Sequence, residues 1–418
     1  MKKLIPLLLA LLMVFAMTTA FAEGEREVIT FWYAHTGDEA AVFESAIEAY
    51  NASQDKVTVQ GVSTMDTQKM IVAMGGSEAP DVISASNQQI IQYAANGLLT
   101  SLQDYVDAEG FDLSIYSDKS LQAMTVDGEV MGLPFESYTI QMFYNKDLLA
   151  EAGYSEPPKT VDEMYEMAVA ATKLDENGNI DVLGYPLFPY ASARQELIYA
   201  FGGRWWDEDG NLTPQDEGVL ASLNMNVKYR SQYDMAKLDA FIATANTNRY
   251  TEQDMFFAGK QLFRLDGSWL PTMMENYGST VNWGICLVPG TAENPELQGV
   301  SRYEATGACI PVMSSHKEAA WDFVKWFTSE EGAKIENLGT GNLPALKALY
   351  DDPDLTAQPG YSDFVAALEL ERGIQYPVME DFGEYTSLIN TALDEVYAGT
   401  KTPEEAMADL AKQSAGLN

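Results

Sequence analysis

Five consecutive residues, Phe31-Trp32-Tyr33-Ala34-His35, place three aromatic rings and an imidazole at one point of the chain. Aromatic faces stack on apolar C–H surfaces, and short polar side chains pair with hydroxyls. A sugar is one ligand that presents both chemistries, and a cleft for one should mix Trp or Tyr with Asp, Glu, Asn, Gln or Arg on loops. Asn87 and Gln88 supply amides of that kind just after a short apolar run. Both positions have a second reading. Strand aromatics such as Trp32 and Tyr33 also serve as core, and Asn87 also serves as a helix N-cap.

Catalytic constellations are poorly represented. The chain has two histidines, His35 and His316, and no His-Glu-x-x-His, Gly-x-Ser-x-Gly, P-loop or Cys-x-x-Cys motif. A glycosidase would need only two carboxyls about 5–10 Å apart, and among 62 acidic residues no pair stands out. Two acidic turns, Asp175 to Asn179 and Asp207 to Asn211, have the opening spacing of calcium loops. Ile180 and Leu212 stand where those loops need glycine, so both read as turns. No metal and no cofactor is expected.

Strands and helices alternate along the first hundred residues. Glu27 to Tyr33 reads as a strand, followed by a Thr36/Glu39 capping box and a helix with Val42, Phe43, Ala46, Ile47 and Tyr50 on one face. Lys56 to Val62 and Val82 to Ala85 read as further strands, with helices after each. This order implies an open α/β sheet, whose ligands sit beyond the carboxyl ends of the strands. His35 and Asn87 both fall at such ends. Later, Ser315 and Glu318 read as a capping box for a helix from Lys317 to Phe327.

The whole chain of 418 residues is strongly acidic, with a net charge of -37. Nucleic acid and anionic membrane surfaces would both repel it. Lys2, Lys3, the apolar run Leu4 to Ala16 and Ala20-Phe21-Ala22 form a secretory signal at 1–22, with the mature chain starting at Glu23. No cysteine lies near that cleavage point, so a periplasmic or released protein without a lipid anchor is expected. The remaining length suits more than one domain. Cys286 and Cys309 sit in apolar runs. In an oxidising compartment they either pair, which would contribute about 3 kcal/mol, or remain buried thiols that never meet.

The segment Val126 to Glu166 carries a more specific signal. It contains Gly128, Gly132-Leu133-Pro134, Tyr144-Asn145-Lys146-Asp147, Glu151-Ala152-Gly153 and Pro157-Pro158-Lys159-Thr160 in that order. This block resembles one found in bacterial extracellular solute-binding proteins of the sugar-binding type, the receptors of ABC importers. Pro80-Asp81-Val82, Gly202-Gly203, Gly267-Ser268-Trp269, Ala320-Trp321-Asp322-Phe323 and Gly341-Asn342-Leu343-Pro344 continue the resemblance over most of the chain.

The resemblance implies an α/β, two-lobe periplasmic-binding-protein fold. Each lobe is a sheet flanked by helices, and a multi-strand hinge joins them. Carried onto this chain, hinge crossings fall near 134–138, 284–287 and 329–335. Lobe one would be 23–136 and 287–329; lobe two would be 137–286 and 330–418. At the inferred hinge, Glu136 and Tyr138 become candidates for hydroxyl pairing and ring stacking. The loop holding Ser192, Arg194 and Gln195 reaches the family's cleft. Trp269 matches the family's Gly-x-Trp turn, and Arg302, Tyr303 and Glu304 fit the cleft rim. Trp205-Trp206 is either an aromatic platform or a domain anchor. Implied partners are a sugar or small oligosaccharide and ABC permease subunits, with the receptor a monomer. A glycerol phosphate or other phosphate ester is the alternative ligand, and a secreted carbohydrate-active enzyme the alternative function.

Overall fold

The computed structural model describes residues 26–185, 191–207, 209–377, 379 and 381–417, with the side chains of 191–195 outside the described set. The expected signal segment lies outside the described residues. So do the side chains of Ser192, Arg194 and Gln195.

A large sheet and a small sheet organise the chain. The large one runs in the order Leu343–Pro344, Leu133–Thr139, Ser301–Cys309, Val82–Ser86, Glu27–Tyr33, Val57–Ser63. Its three N-terminal strands are parallel to one another. Ser301–Cys309 is antiparallel to both Val82–Ser86 and Leu133–Thr139, so the sheet is mixed rather than wholly parallel. The small sheet places Gln141–Asn145 between Phe263–Asp266 and Trp283–Cys286, all antiparallel.

Alternation decides what the first strand buries. Ile29, Phe31 and Tyr33 point into one core, where helix Gly37–Ser53 supplies Phe43, Ala46, Ile47 and Tyr50. Phe327 closes that core from helix Lys317–Phe327. Its ring lies 5.1 Å from Phe31, 5.0 Å from Phe135 and 5.8 Å from Phe43. Two expected capping boxes are not formed. Neither Thr36 nor His316, the actual N-caps, makes a side-chain capping bond. The box at Thr160 and Glu163 is formed, and so is one at Ser86 and Gln89.

The chain passes from the large sheet to the small one between Thr139 and Gln141, and returns between Cys286 and Ser301. It does not leave the first lobe at 329–335. Helix Glu330–Thr340 packs along Gly37–Ser53, and a Cβ at Gly339 would stand 2.5 Å from Val42. Leu343 and Pro344 then pair with Ser137 and Glu136. This segment, expected with the second lobe, extends the first. Burial of Ala333, Leu343 and Leu346 in the large-sheet core holds it there. The C-terminal helices Phe382–Tyr397 and Pro403–Gln413 pack instead on Glu217–Arg230, around Trp205 and Tyr385. Trp205 is fully buried, and the Tyr385 hydroxyl donates to its carbonyl at 2.8 Å. Trp205 is thus an anchor and not a platform.

Cys286 and Cys309 are both free. They occupy different sheets, Cys286 in the small one and Cys309 in the large one, so of the two readings the structure has the separate thiols. The Asp175 and Asp207 turns are closed by their own carboxyls, each accepting from amides two and four residues on. Among the described residues no group of three or more metal-ligating side chains is present, and no helix is long and apolar enough to cross a membrane.

Phe327 touches ring after ring with no exposure of its own. Phe327→Ala is expected to destabilise the protein by about 3–5 kcal/mol, read from urea denaturation followed by tryptophan fluorescence. A loss under about 1 kcal/mol would show that the ring cluster is not a unit of the core.

Candidate functional site

Between the lobes lies a cleft of about 560 Å³. The first lobe contributes the loop from Ala34 to Glu39 and the end of the third strand at Ser84 to Ser86. The hinge contributes Glu136, Tyr138 and Thr306; Thr340 and Asn342 follow from the added segment. The opposite wall carries Arg249, Tyr250, Trp269, Thr272, Met273, Asn276 and Tyr277.

His35 lies in this cleft, its ring stacked 4.4 Å from Phe43. Its Nδ1 has no hydrogen-bond partner among the described residues. Thr36, without a capping bond to make, also lines the cleft. The other aromatic candidates of that strand do not. Tyr33 is core, with its hydroxyl donated to Glu44 at 2.5 Å. Trp32 faces the other side of the sheet under Lys69, whose Nζ is 5.4 Å from the ring. The strand's alternation cannot place residues 31–33 in the ligand space, because both of its faces are covered. Asn87 is buried one residue inside its helix, with Ser86 as the N-cap. Gln88 lines a separate, smaller cavity. The neighbour Gln89 reaches the main cleft instead.

Glu136 and Tyr138 both line the cleft, since both point to one side of strand Leu133–Thr139. Glu136 accepts from the Asn342 amide. Behind it, the fully buried Glu336 faces Glu136 and accepts from the Thr340 hydroxyl at 3.0 Å. Burial first, and then the adjacent Glu136 charge, hold the Glu336 carboxyl well above the usual carboxylate range. Glu39, across the cleft floor, is also raised by burial; His35 opposes that shift and Glu136 adds to it.

Arg302, Tyr303 and Glu304 do not form a cleft rim. Strand Ser301–Cys309 is buried along its whole length. Arg302 and Glu304 share one face, and the Arg302 Nε lies 2.7 Å from Glu304 Oε1 and 3.4 Å from Glu196 Oε1. Its Nη1 donates to the Tyr376 hydroxyl at 2.8 Å. Tyr138 and Tyr376 both donate to Glu304. The network stands behind Tyr138 and fixes that ring. Glu196 is pushed up to about 7 by burial, against the lowering effect of the Arg302 charge. Tyr303 points the other way into core, bonded to Ser120 at 2.6 Å. Thr306 is the residue of this strand that reaches the cleft.

Trp269 stands opposite Tyr138, edge to face at 5.4 Å. Its indole N–H donates at 2.6 Å to the Tyr250 hydroxyl, which donates at 2.7 Å to Asp266. A Cβ on Gly267 would lie 2.1 Å from the indole, so only glycine lets the ring fold back over its own turn. Tyr250 holds a left-handed backbone, with φ at 54°, uncommon for a bulky side chain. Its amide donates to Asp254 at 2.9 Å. Sequence reading missed Tyr250, Arg249, Glu39 and Asn342 as cleft residues. The Asn342 position was legible as part of a motif, and Glu39 as part of a capping box; Tyr250 and Arg249 carry no local signal.

The sequence model of one family, bacterial extracellular solute-binding protein, matches residues 33–334. This chain belongs to that family. Among related solute-binding proteins, a maltotriose-binding protein of Pyrococcus abyssi is 25% identical over 387 residues, covering 92% of this chain and 80% of the relative. The diacetylchitobiose-binding protein DasA of Streptomyces coelicolor is 31% identical over 337 residues, covering 77% of this chain and 74% of the relative. A solved structure of CpMnBP1 with mannotriose bound superposes with a TM-score of 0.80 at 23% identity, over 93% of this chain and 100% of that one. The structural likeness establishes the two-lobe fold shared with these receptors.

The raised carboxyls of this solute-binding protein set a pH dependence. A carboxyl whose folded pKa is raised contributes stability that is complete below its unfolded value and lost as pH rises through the folded one. The melting temperature is expected to fall as pH rises from 4.5 to about 7, the range over which burial lifts Glu196, and Glu336, raised in the same direction, adds to that fall. Glu336→Gln keeps a neutral donor beside Glu136 and should flatten part of that fall. An unchanged slope in the variant would show that Glu336 titrates normally.

Proposed function

We propose that this protein is the exported receptor of an ABC importer and that its cleft binds a neutral sugar or small oligosaccharide. One observation carries the reading. Trp269 and Tyr138 present aromatic surface beside the Glu136 and Asn342 pair, which is the stacking and hydroxyl-pairing combination a sugar needs. The names of the maltotriose- and diacetylchitobiose-binding relatives agree with it, while a further relative, 23% identical, is named for sn-glycerol-3-phosphate.

The charge pattern disfavours a phosphate ester. Three carboxyl side chains, Asp38, Glu39 and Glu136, line the described cleft, against one guanidinium, Arg249. Arg302, the cation expected at the rim, is committed to Glu304 and Glu196. The receptor works by binding and release, with no bond broken in the ligand. Ligand contacts to Trp269 on one wall and Glu136 at the hinge favour the closed arrangement of the lobes. The closed form then presents the ligand to the permease.

A thermal-shift screen against sugars, sugar phosphates and glycerol phosphates tests this. A ligand at 100 times its Kd adds about 2.7 kcal/mol, so a neutral sugar should raise Tm and be recovered intact. Trp269→Ala should weaken that sugar by roughly tenfold to a hundredfold, as expected for loss of an aromatic stacking surface. A response confined to phosphate esters, or cleavage of the responding sugar, would overturn the reading.

A further inference from the structure

One strand of the small sheet keeps its charges inside. Arg264 and Asp266 lie two residues apart on Phe263–Asp266, so their side chains share one face. Both are almost fully buried, and so is Asp254. The Arg264 Nη1 lies 2.8 Å from each Asp254 oxygen, and its Nε donates at 2.7 Å to Asp266 Oδ2. The planar guanidinium thus joins two carboxylates, each on a different part of its fork. None of these three residues lines the cleft. A buried ion group of this kind rarely stabilises more than apolar residues of equal volume would, so its consequence is to be sought in the geometry it fixes.

That geometry is the position of Tyr250. Asp254 accepts from the Tyr250 amide at 2.9 Å, and Asp266 Oδ1 accepts from the Tyr250 hydroxyl at 2.7 Å. Arg264 ties the two carboxylates together and lies 5.1 Å from the ring between them. Tyr250 is therefore gripped at both ends. A left-handed backbone at a tyrosine persists only where its surroundings over-determine it, and this grip does so. The hydroxyl also accepts from the Trp269 indole and from Arg249 Nη2, each at 2.6 Å. With Asp266 taking its proton, its one donor and two acceptor places are filled. The indole N–H is the single donor of Trp269 and is spent inside the protein, so the ring offers the cleft its face.

We propose that Arg264 is a positioning residue for ligand binding: by joining Asp254 to Asp266 it sets Tyr250, and through Tyr250 the plane of the Trp269 indole. The wall is then rigid before a ligand stacks on it, and binding carries no cost for ordering that side chain. The consequence for affinity rests on the sugar reading of the cleft; the geometric claim does not.

The test reads the indoles directly. Protein labelled with 15N-tryptophan gives one indole N–H peak for each of its seven tryptophans, and Trp269→Phe identifies the Trp269 peak by its loss. In Tyr250→Phe and in Arg264→Lys this peak should shift, and its N–H should exchange with water about tenfold faster, with the other six in place. Lysine keeps the charge but lacks the fork that reaches both carboxylates. Should Arg264→Lys fail to fold, Asp254→Asn loosens the same guanidinium and carries the same expectation. Calorimetry with maltotriose and mannotriose should show about tenfold weaker binding in these variants for whichever sugar the unaltered protein takes. A residue of purely structural importance would lower Tm without singling out one indole. A Trp269 peak that stays in place in the Arg264 variant, or a shift of all seven peaks together, overturns the proposal. So does unchanged affinity for a trisaccharide that binds. If the unaltered protein binds neither trisaccharide, that result counts against the sugar reading, and the Trp269 peak alone decides the role of Arg264.

Discussion

The Arg302 guanidinium is the interaction on which the cleft depends. It sits almost without exposure between Glu304 and Glu196, so neither carboxyl is left to face a low-dielectric interior alone. Removing one member of such a group costs far more than the pairing contributes, because the others remain buried. The group also joins separate parts of the molecule. Arg302 and Glu304 belong to the central strand, Glu196 to helix Ala191–Ala200 and Tyr376 to the chain that leads into the C-terminal helices. Tyr138, the hinge ring in the cleft, is tied to the same Glu304. The position of one ligand-facing ring is thus set by charges that never meet the ligand.

Much of the fold was legible, because it rests on local signals. Strand Glu27–Tyr33 and the helix after it follow from alternation and helical spacing. Sheet membership was harder to read. Residues 330–344 resemble a connection toward the second lobe, yet Gly339 allows a close helix approach and Leu343 pairs with Ser137. Nothing local to that segment distinguishes the two outcomes.

The site was legible where one residue has a geometric reason to be where it is. Trp269 needs Gly267 beneath it, and Glu136 and Tyr138 share a strand face. Arg302, Tyr303 and Glu304 misled because a polar, charged stretch normally marks a surface. Here a central strand buries it, and the charges satisfy one another. Tyr33 and Trp32 misled for the opposite reason: the sheet is covered on both sides, so aromatic residues near a strand end still become core. Tyr250 was invisible, since its role depends on a left-handed backbone and a hydroxyl relay between Trp269 and Asp266.

The central strand has a consequence for the order in which the molecule assembles. Tyr138 and its acceptor Glu304 are 166 residues apart in the chain, and the sheet edge at Leu343–Pro344 comes later still. The N-terminal strands meet their antiparallel neighbour only after some three-quarters of the sequence has been made. Closing loops of that length is slow compared with forming local helices. A growing chain therefore cannot complete its first core early, and stays open through most of synthesis, the state in which a polypeptide can still be threaded across a membrane.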